Sequence, residues 1–337
     1  MYLKYNLIIF YIKIMKKIAI IYTGESRTIE TTIQTFKEHI LLNENYHVFS
    51  VLQSSNSELT EKIVRTHMEN NLKSYENFNK DDFCWNVIQH NLLNIIKPNH
   101  FWYEYLKYKS GSMIEYYQMY LAYQKIVDYE YIENFKYDYV IRIRCDVVIT
   151  HPIYFDWDSF DEVYIKQCFE EIQKQNNYEN IISHDALIIF MNSIFFKNRI
   201  YCTTKIENNC IISSNFFKKI LEINEEELFF SMIKEYLNKG KFIITLRQNV
   251  LYFIKRKYMT FIAPLGITYG MYKNNEDYLW FNAENQLRQI CIENDIDIFD
   301  SHKKLEVESL YQYEENNYYK DGELIKNDNV FFFIKRK

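Results

Sequence analysis

Three charged side chains near the middle of the chain have the types and the spacing to bind a phosphorylated ligand. Arg142, Arg144 and Asp146 alternate within residues 137–153, whose sequence is YDYVIRIRCDVVITHPI. The β-branched apolar residues of this run predict a buried strand, and alternate residues of a strand lie on the same face. A carboxylate can hold a divalent cation, and guanidinium groups can pair with phosphate oxygens. The pattern therefore suits a diphosphate ligand, and an internal Arg–Asp ion pair at the strand end is the alternative.

A second candidate is the turn Thr23-Gly24-Glu25-Ser26-Arg27, which follows an apolar strand predicted over residues 17–22. A helix is predicted to follow as far as Leu42, with Thr23 or Ser26 as its cap. A strand, a glycine turn and a helix N-terminus commonly form an anion site, and Arg27 could pair with a phosphate or with a nearby carboxylate. A single glycine stands where a dinucleotide site has GxGxxG, so the sequence by itself favours an ordinary β–α turn.

Apolar periodicity along the chain alternates strands with helices, which predicts an α/β fold with a mainly parallel sheet. A long predicted helix leads directly into strand 138–144, as in a crossover between parallel strands. Further strands are predicted at 46–53, 163–167, 186–191, 241–246 and 250–254. Helices are predicted at 62–72, 85–96, 112–135, 192–206, 225–238 and 277–293, with Asn224 and Glu227 as a capping box for the helix at 225–238.

The composition describes a globular protein, because 48% of its 337 residues are hydrophobic and 25% are charged. That length accommodates one large α/β domain or two smaller ones. The formal net charge of −5 gives no basic signature of nucleic-acid binding. None of the six cysteines forms a CxxC pair, so we expect free thiols in a reducing compartment rather than a zinc site.

The first fourteen residues, MYLKYNLIIFYIKI, contain an apolar run too short to span a bilayer and no small-residue cleavage site. A second methionine, Met15, begins MKKIAIIYTGESRT, which reads as a natural start. We therefore expect residues 1–14 to be an extension outside the fold and residues 15–260 to form the main domain. Residues 261–337 are expected to be a helical and loop extension packed on it. We expect a cytoplasmic protein with no transmembrane segment, and attachment to a membrane surface stays open.

Several segments, in this order, resemble a group of glycosyltransferases with the GT-A fold. The most specific is the central strand, which reads YDxxIRxRxDxx in that group and is matched here by Tyr137 to Val148. The N-terminal strand of the group ends in a turn like SGHLRT, matched by Tyr22 to Thr28. The other matches are Ser112-Met113, Gln118 and Tyr129-Glu130 in the helix before the central strand, His184 to Ile189 for a segment like SDxFxIG, and Glu226 to Phe230 for a helix like PExLLxxYL.

The resemblance, which covers roughly residues 17–254, implies a GT-A-like (Rossmann-like) mixed sheet, mainly parallel and flanked by helices, in the main domain. It implies transfer of a sugar from a nucleotide-diphospho-sugar donor to a hydroxyl group of a glycan, lipid or protein acceptor. Asp146 would hold Mn²⁺ or Mg²⁺. Asp185, Glu226 and Glu227 would be the catalytic carboxylates, with Asp185 facing the acceptor hydroxyl. The donor would be bound by Thr23, Gly24, Arg27, Ser112, Arg142, Arg144 and His184.

The chain departs from the pattern of that group at three places. Arg144 replaces the first Asp of an Asp-x-Asp motif, His184 stands where a small residue is common, and no proline precedes Glu226. These differences put metal dependence and the helix acids in question, and Glu226 and Glu227 are also explained as acids at a helix N-terminus. Two other functions stay open: a nucleotidyltransferase on a similar sheet, and a non-catalytic relative that binds a nucleotide or a glycan.

Overall fold

The computed structural model describes a seven-stranded central sheet and the helices that cover it. The described residues are 16–42, 44–108, 111–149, 169–170, 223–247, 250–263, 283–300, 319–320, 323–324 and 332–334. The predicted extension 1–14 and the predicted strands at 163–167 and 186–191 lie outside them.

Strands and helices alternate through the first part of the described chain. The helices are α1 (Ile29–His39), α2 (Ser57–Met68), α3 (Phe83–Ile95), α4 (Phe101–Tyr108), α5 (Gly111–Ile132), α6 (Glu226–Lys239) and α7 (Ala283–Glu293). The strands are β1 (Ile18–Glu25), β2 (Tyr46–Gln53), β3 (Leu72–Phe78), β4 (Tyr139–Arg144), β5 (Val147–Ile149), β6 (Phe242–Arg247), β7 (Leu251–Lys255), β8 (Asp297–Asp300), β9 (Tyr319–Lys320), β10 (Glu323–Leu324) and β11 (Phe332–Ile334).

The central sheet has seven described strands in the order β3-β2-β1-β4-β7-β6-β8. All neighbours pair in parallel except around β7, which runs antiparallel to both β4 and β6. The chain builds outward from β1 to β3 and then returns to place β4 on the other side of β1. The predicted α/β fold with a mainly parallel mixed sheet is confirmed, and its strand order reverses between β1 and β4.

Helices cover both faces of this sheet, so each central strand has two buried faces. Residues Ile18, Ile20 and Tyr22 of β1 pack with α1, α2 and α6, whereas Ala19 and Ile21 pack with α3, α4, α5 and α7. This explains why β1 reads as a continuous apolar run instead of an alternating one. Burial of each large apolar side chain contributes about 1.5–3 kcal/mol to folding.

Two strands of the segment 261–337 pair with elements that precede it. Strand β8 forms an edge of the central sheet beside β6, and β11 pairs antiparallel with β5. Residues beyond the expected boundary at 260 therefore pair with strands that precede it. None of the helices in the described part of the chain is long and apolar enough to cross a membrane.

The predicted helix caps are wrong. Thr23 lies inside β1, and the N-cap of α1 is Thr28, which makes no side-chain capping bond. Ser26 contributes instead a backbone carbonyl that accepts the N–H of Ile29. The N-cap of α6 is Glu225, again without a side-chain capping bond, so the capping box expected for this helix does not form.

Candidate functional site

Strand β4 presents its two arginines on the face covered by α5, as the alternation predicts. Ile141, Ile143 and Cys145 pack into the core on the opposite face. The strand ends at Arg144, so Asp146 is not a strand residue and lies in a turn that leads into β5. The turn nevertheless returns the Asp146 carboxylate to the side chain of Arg144.

Arg144 and Asp146 form a two-pronged ion pair at this strand end. Nε of Arg144 donates to Oδ1 of Asp146 over 2.8 Å, and Nη2 donates to Oδ2 over 2.5 Å. The third nitrogen, Nη1, lies 2.8 Å from Oε1 of Glu115 on α5. The guanidinium of Arg144 is therefore held between two carboxylates from different elements, in the geometry that gives the strongest charge-assisted bonds.

Arg142 lies deeper in the same cluster, with only 1% of its side chain exposed. Its Nη1 donates to the carbonyl oxygen of Val250 over 2.9 Å, and its Nη2 is 3.7 Å from Oε2 of Glu115. Burial lowers the pKa of Arg142, and the carboxylate of Glu115 opposes that change. Burial also acts to lower the pKa of Arg144, but Glu115 and Asp146 outweigh it and raise that pKa.

Gly24 allows the end of β1 to lie directly against this cluster. Its φ of +129° belongs to a region that side-chain-bearing residues rarely adopt, and a Cβ here would be 3.1 Å from Sγ of Cys145. The N–H of Cys145 donates to the carbonyl oxygen of Thr23 over 2.8 Å, and its Sγ donates to that of Glu25 over 3.2 Å. These contacts lock the β1 turn to the residue just before Asp146.

A polar cleft of about 330 Å³ opens at the carboxyl ends of β1, β2 and β3. Glu25 belongs to both the cleft and the locked turn, because its backbone carbonyl accepts from Cys145. Two serines at the cleft are ordered by Thr60, whose Oγ1 is 3.3 Å from Oγ of Ser26 and 2.7 Å from Oγ of Ser54. The lining residues are Glu25, Ser26, Arg27, Gln53, Ser54, Ser55, Asn77, Phe78, Asn79 and Lys80.

Arg27 is the predicted site residue that lines this cleft with a charged group. Its Nη1 is 3.7 Å from a carboxylate oxygen of Glu25, and about half of each side chain is exposed. A surface ion pair of this kind is weak, so the guanidinium of Arg27 remains available to another anion. Both alternatives raised by the sequence, a carboxylate partner and a phosphate partner, are compatible with this position.

Other predicted site residues lie elsewhere or outside the described chain. Ser112 is in the first turn of α5, but its side chain is not described. Glu226 and Glu227 begin α6, which covers the face of the sheet opposite Arg142 and Arg144. Their position also fits the helix-terminus explanation, because acids favour the first turn of a helix. His184 and Asp185 lie outside the described residues.

Glu115 and the polar residues at the ends of β2 and β3 were missed by reasoning from the sequence. Glu115 had a usable signal, since it is an acid flanked by Met113, Ile114, Tyr116 and Tyr117, all of which are buried. A charge in such a run needs a partner. The cleft residues had no comparable signal, because Ser and Asn after a strand are ordinary turn residues.

The arrangement of acidic side chains limits which of them could bind a divalent cation. No group of three or more His, Cys, Asp or Glu residues is close enough to hold a metal ion within the described ranges. Mg²⁺ is often held by one or two carboxylates together with phosphates of the substrate. A carboxylate has about four lone-pair positions, and Arg144 engages one on each oxygen of Asp146. Asp146 therefore keeps lone-pair positions that Arg144 does not engage, and only 3% of its side chain is exposed.

Comparison with known proteins adds no family to this description. No protein-family model matches the chain, and no curated protein is similar enough to count as a match. The α/β sheet, the charged cluster at its strand ends and the cleft are therefore the features of the described residues that indicate a function.

Proposed function

We propose that this protein is a glycosyltransferase that uses a nucleotide-diphospho-sugar donor. One observation carries the proposal: the Arg144–Asp146 pair and the Gly24 turn meet at the carboxyl ends of β1 and β4. That is where the strand order reverses, and ligands of open α/β sheets bind at such a point. The resemblance of the central strand to RxRxD-containing GT-A enzymes supports the same assignment.

In this proposal the donor lies across the cleft and the charged cluster. The nucleoside binds in the cleft, where Ser26, Ser54 and Asn77 offer hydroxyl and amide groups suited to a ribose and a base. The diphosphate lies toward Gly24, between Arg27 and Arg144. Both guanidinium groups can form paired bonds with phosphate oxygens, which fixes the donor and balances its charge.

A divalent cation, Mn²⁺ or Mg²⁺, is part of the proposal. Asp146 would hold it together with phosphate oxygens, and it would stabilise the negative charge of the departing nucleoside diphosphate. Arg144 adds a fixed positive charge at the same place. The protein's own contribution is then to hold the donor in one orientation and to supply preorganised charge, which together lower the barrier to transfer.

The acceptor side of the reaction rests on the resemblance. Asp185 is proposed to face the acceptor hydroxyl, and Glu226 and Glu227 remain predicted catalytic residues. If the reaction inverts the anomeric centre, a carboxylate takes the proton of the acceptor hydroxyl as the new glycosidic bond forms. The acceptor class is a glycan, a lipid or a protein.

The test is a panel of nucleotide-sugars incubated with the protein and Mn²⁺, followed by assay of the released nucleoside diphosphate. We expect release from one donor and little from the others. Release of pyrophosphate from a nucleoside triphosphate would instead indicate a nucleotidyltransferase. Nucleotide binding without any release, with or without candidate acceptors, would indicate a non-catalytic binding protein.

A further inference from the structure

The carboxylate of Glu115 lies among buried apolar residues, where a charge without a partner is energetically unfavourable. It contacts both arginines of β4. Glu115 lies in the second turn of α5 between residues that are almost fully buried, and only 17% of its side chain is exposed. One carboxylate oxygen is 2.8 Å from Nη1 of Arg144, and the other is 3.7 Å from Nη2 of Arg142. A partly buried carboxylate in these contacts fixes the position of α5 relative to the charged end of β4.

The exposed fractions of the ion-paired side chains assign them different positions in the site. Only 3% of the Asp146 side chain is exposed, whereas 20% of the Arg144 side chain is exposed. Arg144 is therefore the member of the pair that is more accessible to an incoming ligand.

The guanidinium retains donors even though each of its nitrogens is close to a carboxylate oxygen. Nε and Nη2 are bonded to Asp146, and Nη1 is beside Glu115. Each terminal nitrogen of an arginine carries two hydrogens. Nη1 and Nη2 can thus each donate a second bond, to adjacent phosphate oxygens, while both carboxylates keep the group in place.

We propose that Glu115 is a positioning residue for the donor's diphosphate. Together with Asp146 it clamps the guanidinium of Arg144, so that the second hydrogens of Nη1 and Nη2 are presented to phosphate oxygens in a fixed orientation. The inference rests on the proposed function for the identity of the ligand. Neither the sequence motif nor the resemblance assigns a role to Glu115. Its proposed effect on the diphosphate is indirect, through the guanidinium of Arg144.

Two competing roles predict different effects of removing the charge. If Glu115 only neutralised the arginines, Glu115→Gln would strengthen the binding of an anion, since a nearby negative charge would be gone. If Glu115 only held α5 on the sheet, Glu115→Gln would lower the melting temperature and leave anion affinity unchanged in the folded protein. If Glu115 clamps Arg144, Glu115→Gln should weaken the binding of an anion. That loss of affinity should occur only when Arg144 is present.

The experiment measures pyrophosphate binding to the full chain by calorimetry at fixed Mg²⁺ concentration and ionic strength. The variants are Glu115→Gln, Arg144→Gln and the double variant, with Glu130→Gln as the matched control. Glu130 is on the same helix and forms a buried two-pronged pair with Arg256, through bonds of 2.8 Å each. Its loss therefore tests whether removing any buried acid of α5 weakens binding.

We expect Glu115→Gln to weaken pyrophosphate binding roughly tenfold, the usual scale for a charge-assisted contact. The double variant should bind no more weakly than Arg144→Gln, and Glu130→Gln should bind like the wild type. Tighter or unchanged binding by Glu115→Gln, or additive losses in the double variant, would overturn the inference. If Glu115→Gln does not fold, Glu115→Asp, which keeps the charge but sets the carboxylate back, takes its place with the same expected loss.

The same series separates this inference from the proposed function. A wild-type protein that binds no pyrophosphate would overturn both. A protein that shows the expected series but releases no nucleoside diphosphate from any nucleotide-sugar would defeat the glycosyltransferase proposal alone, and the clamp on Arg144 would stand.

Discussion

Arg144 is an internal ion-pair partner and a candidate ligand-binding group at the same time. The sequence offered these as alternatives, and the alternation of β4 was enough to put Arg142 and Arg144 on one face. The sequence could not indicate that Glu115 joins them, because the register of α5 against the sheet depends on packing between distant residues. A strand period identifies which residues share a face, and tertiary contacts decide what faces them.

At Asp146 the prediction concerns the negative charge. Asp146→Asn keeps the shape of the side chain and should abolish Mn²⁺-dependent nucleotide binding while the protein stays folded, because Glu115 continues to pair with Arg144. Calorimetry with Mn²⁺ and a nucleoside diphosphate measures the first effect, and circular dichroism the second. Asp128→Asn, an exposed acid of α5, is the control. Equal affinities of Asp146→Asn and the wild type would remove the cation role.

At Arg27 the prediction distinguishes binding of the phosphates from binding of the nucleoside. Arg27→Ala should weaken the binding of a nucleoside diphosphate by roughly tenfold but leave the free nucleoside nearly unaffected, since a guanidinium bonds strongly to phosphate. Both affinities are measured by calorimetry. Arg65→Ala is the matched control, because Arg65 also forms an exposed ion pair, with Glu61 on α2. Equal weakening of both ligands would show that Arg27 does not contact phosphate.

At the scale of elements, burial decides which strands the sequence predicts. Strands β1, β2 and β4 are buried on both faces and were found as apolar runs. Strand β3 was missed, because it lies at an edge of the sheet and most of its residues are only partly buried, so LKSYENF has no apolar run. Helix α4 was missed too: it is a short helix of 8 residues.

Gly24 lies at the end of β1, in contact with the turn after β4. Gly24→Ala should destabilise the protein by about 1–3 kcal/mol, because the backbone conformation is strained for alanine. The new Cβ also meets Sγ of Cys145 at 3.1 Å. Urea unfolding gives the free energy, and a double-mutant cycle with Cys145→Ala separates the side-chain contact from the backbone strain. Nucleotide affinity should fall as well, since Cys145 precedes Asp146. Unchanged stability would mean that the turn tolerates a side chain.

At the scale of the whole molecule, the two ends of the sheet carry different kinds of buried charge. Arg144 and Asp146 lie at the carboxyl ends of β1 and β4, and the cleft opens at the carboxyl ends of β1, β2 and β3. The opposite end holds Glu130, whose carboxylate accepts from Arg256, from Lys136 and from the backbone N–H of Tyr137. The sequence does not predict the strand order that creates this division. Nothing in the sequence near β7 indicates that this strand inserts antiparallel between β4 and β6. A ligand is expected at the first end only.

Glu130 provides a test of whether the two ends of the sheet are independent in ligand binding and in stability. Its carboxylate has no exposed surface, and it anchors the end of α5 to the start of β4 and to the residue after β7. Glu130→Gln leaves the charge of Arg256 buried without its partner and should cost about 3–5 kcal/mol in the free energy of unfolding. Urea unfolding measures that loss, and Glu133→Gln, an exposed acid of the following turn, should stay close to the wild type.

Below its melting transition the Glu130→Gln protein should bind nucleoside diphosphate with wild-type affinity. A parallel fall in affinity in the folded variant would show that the two ends of the sheet are coupled, and the separation of stability from binding proposed for this fold would then be wrong.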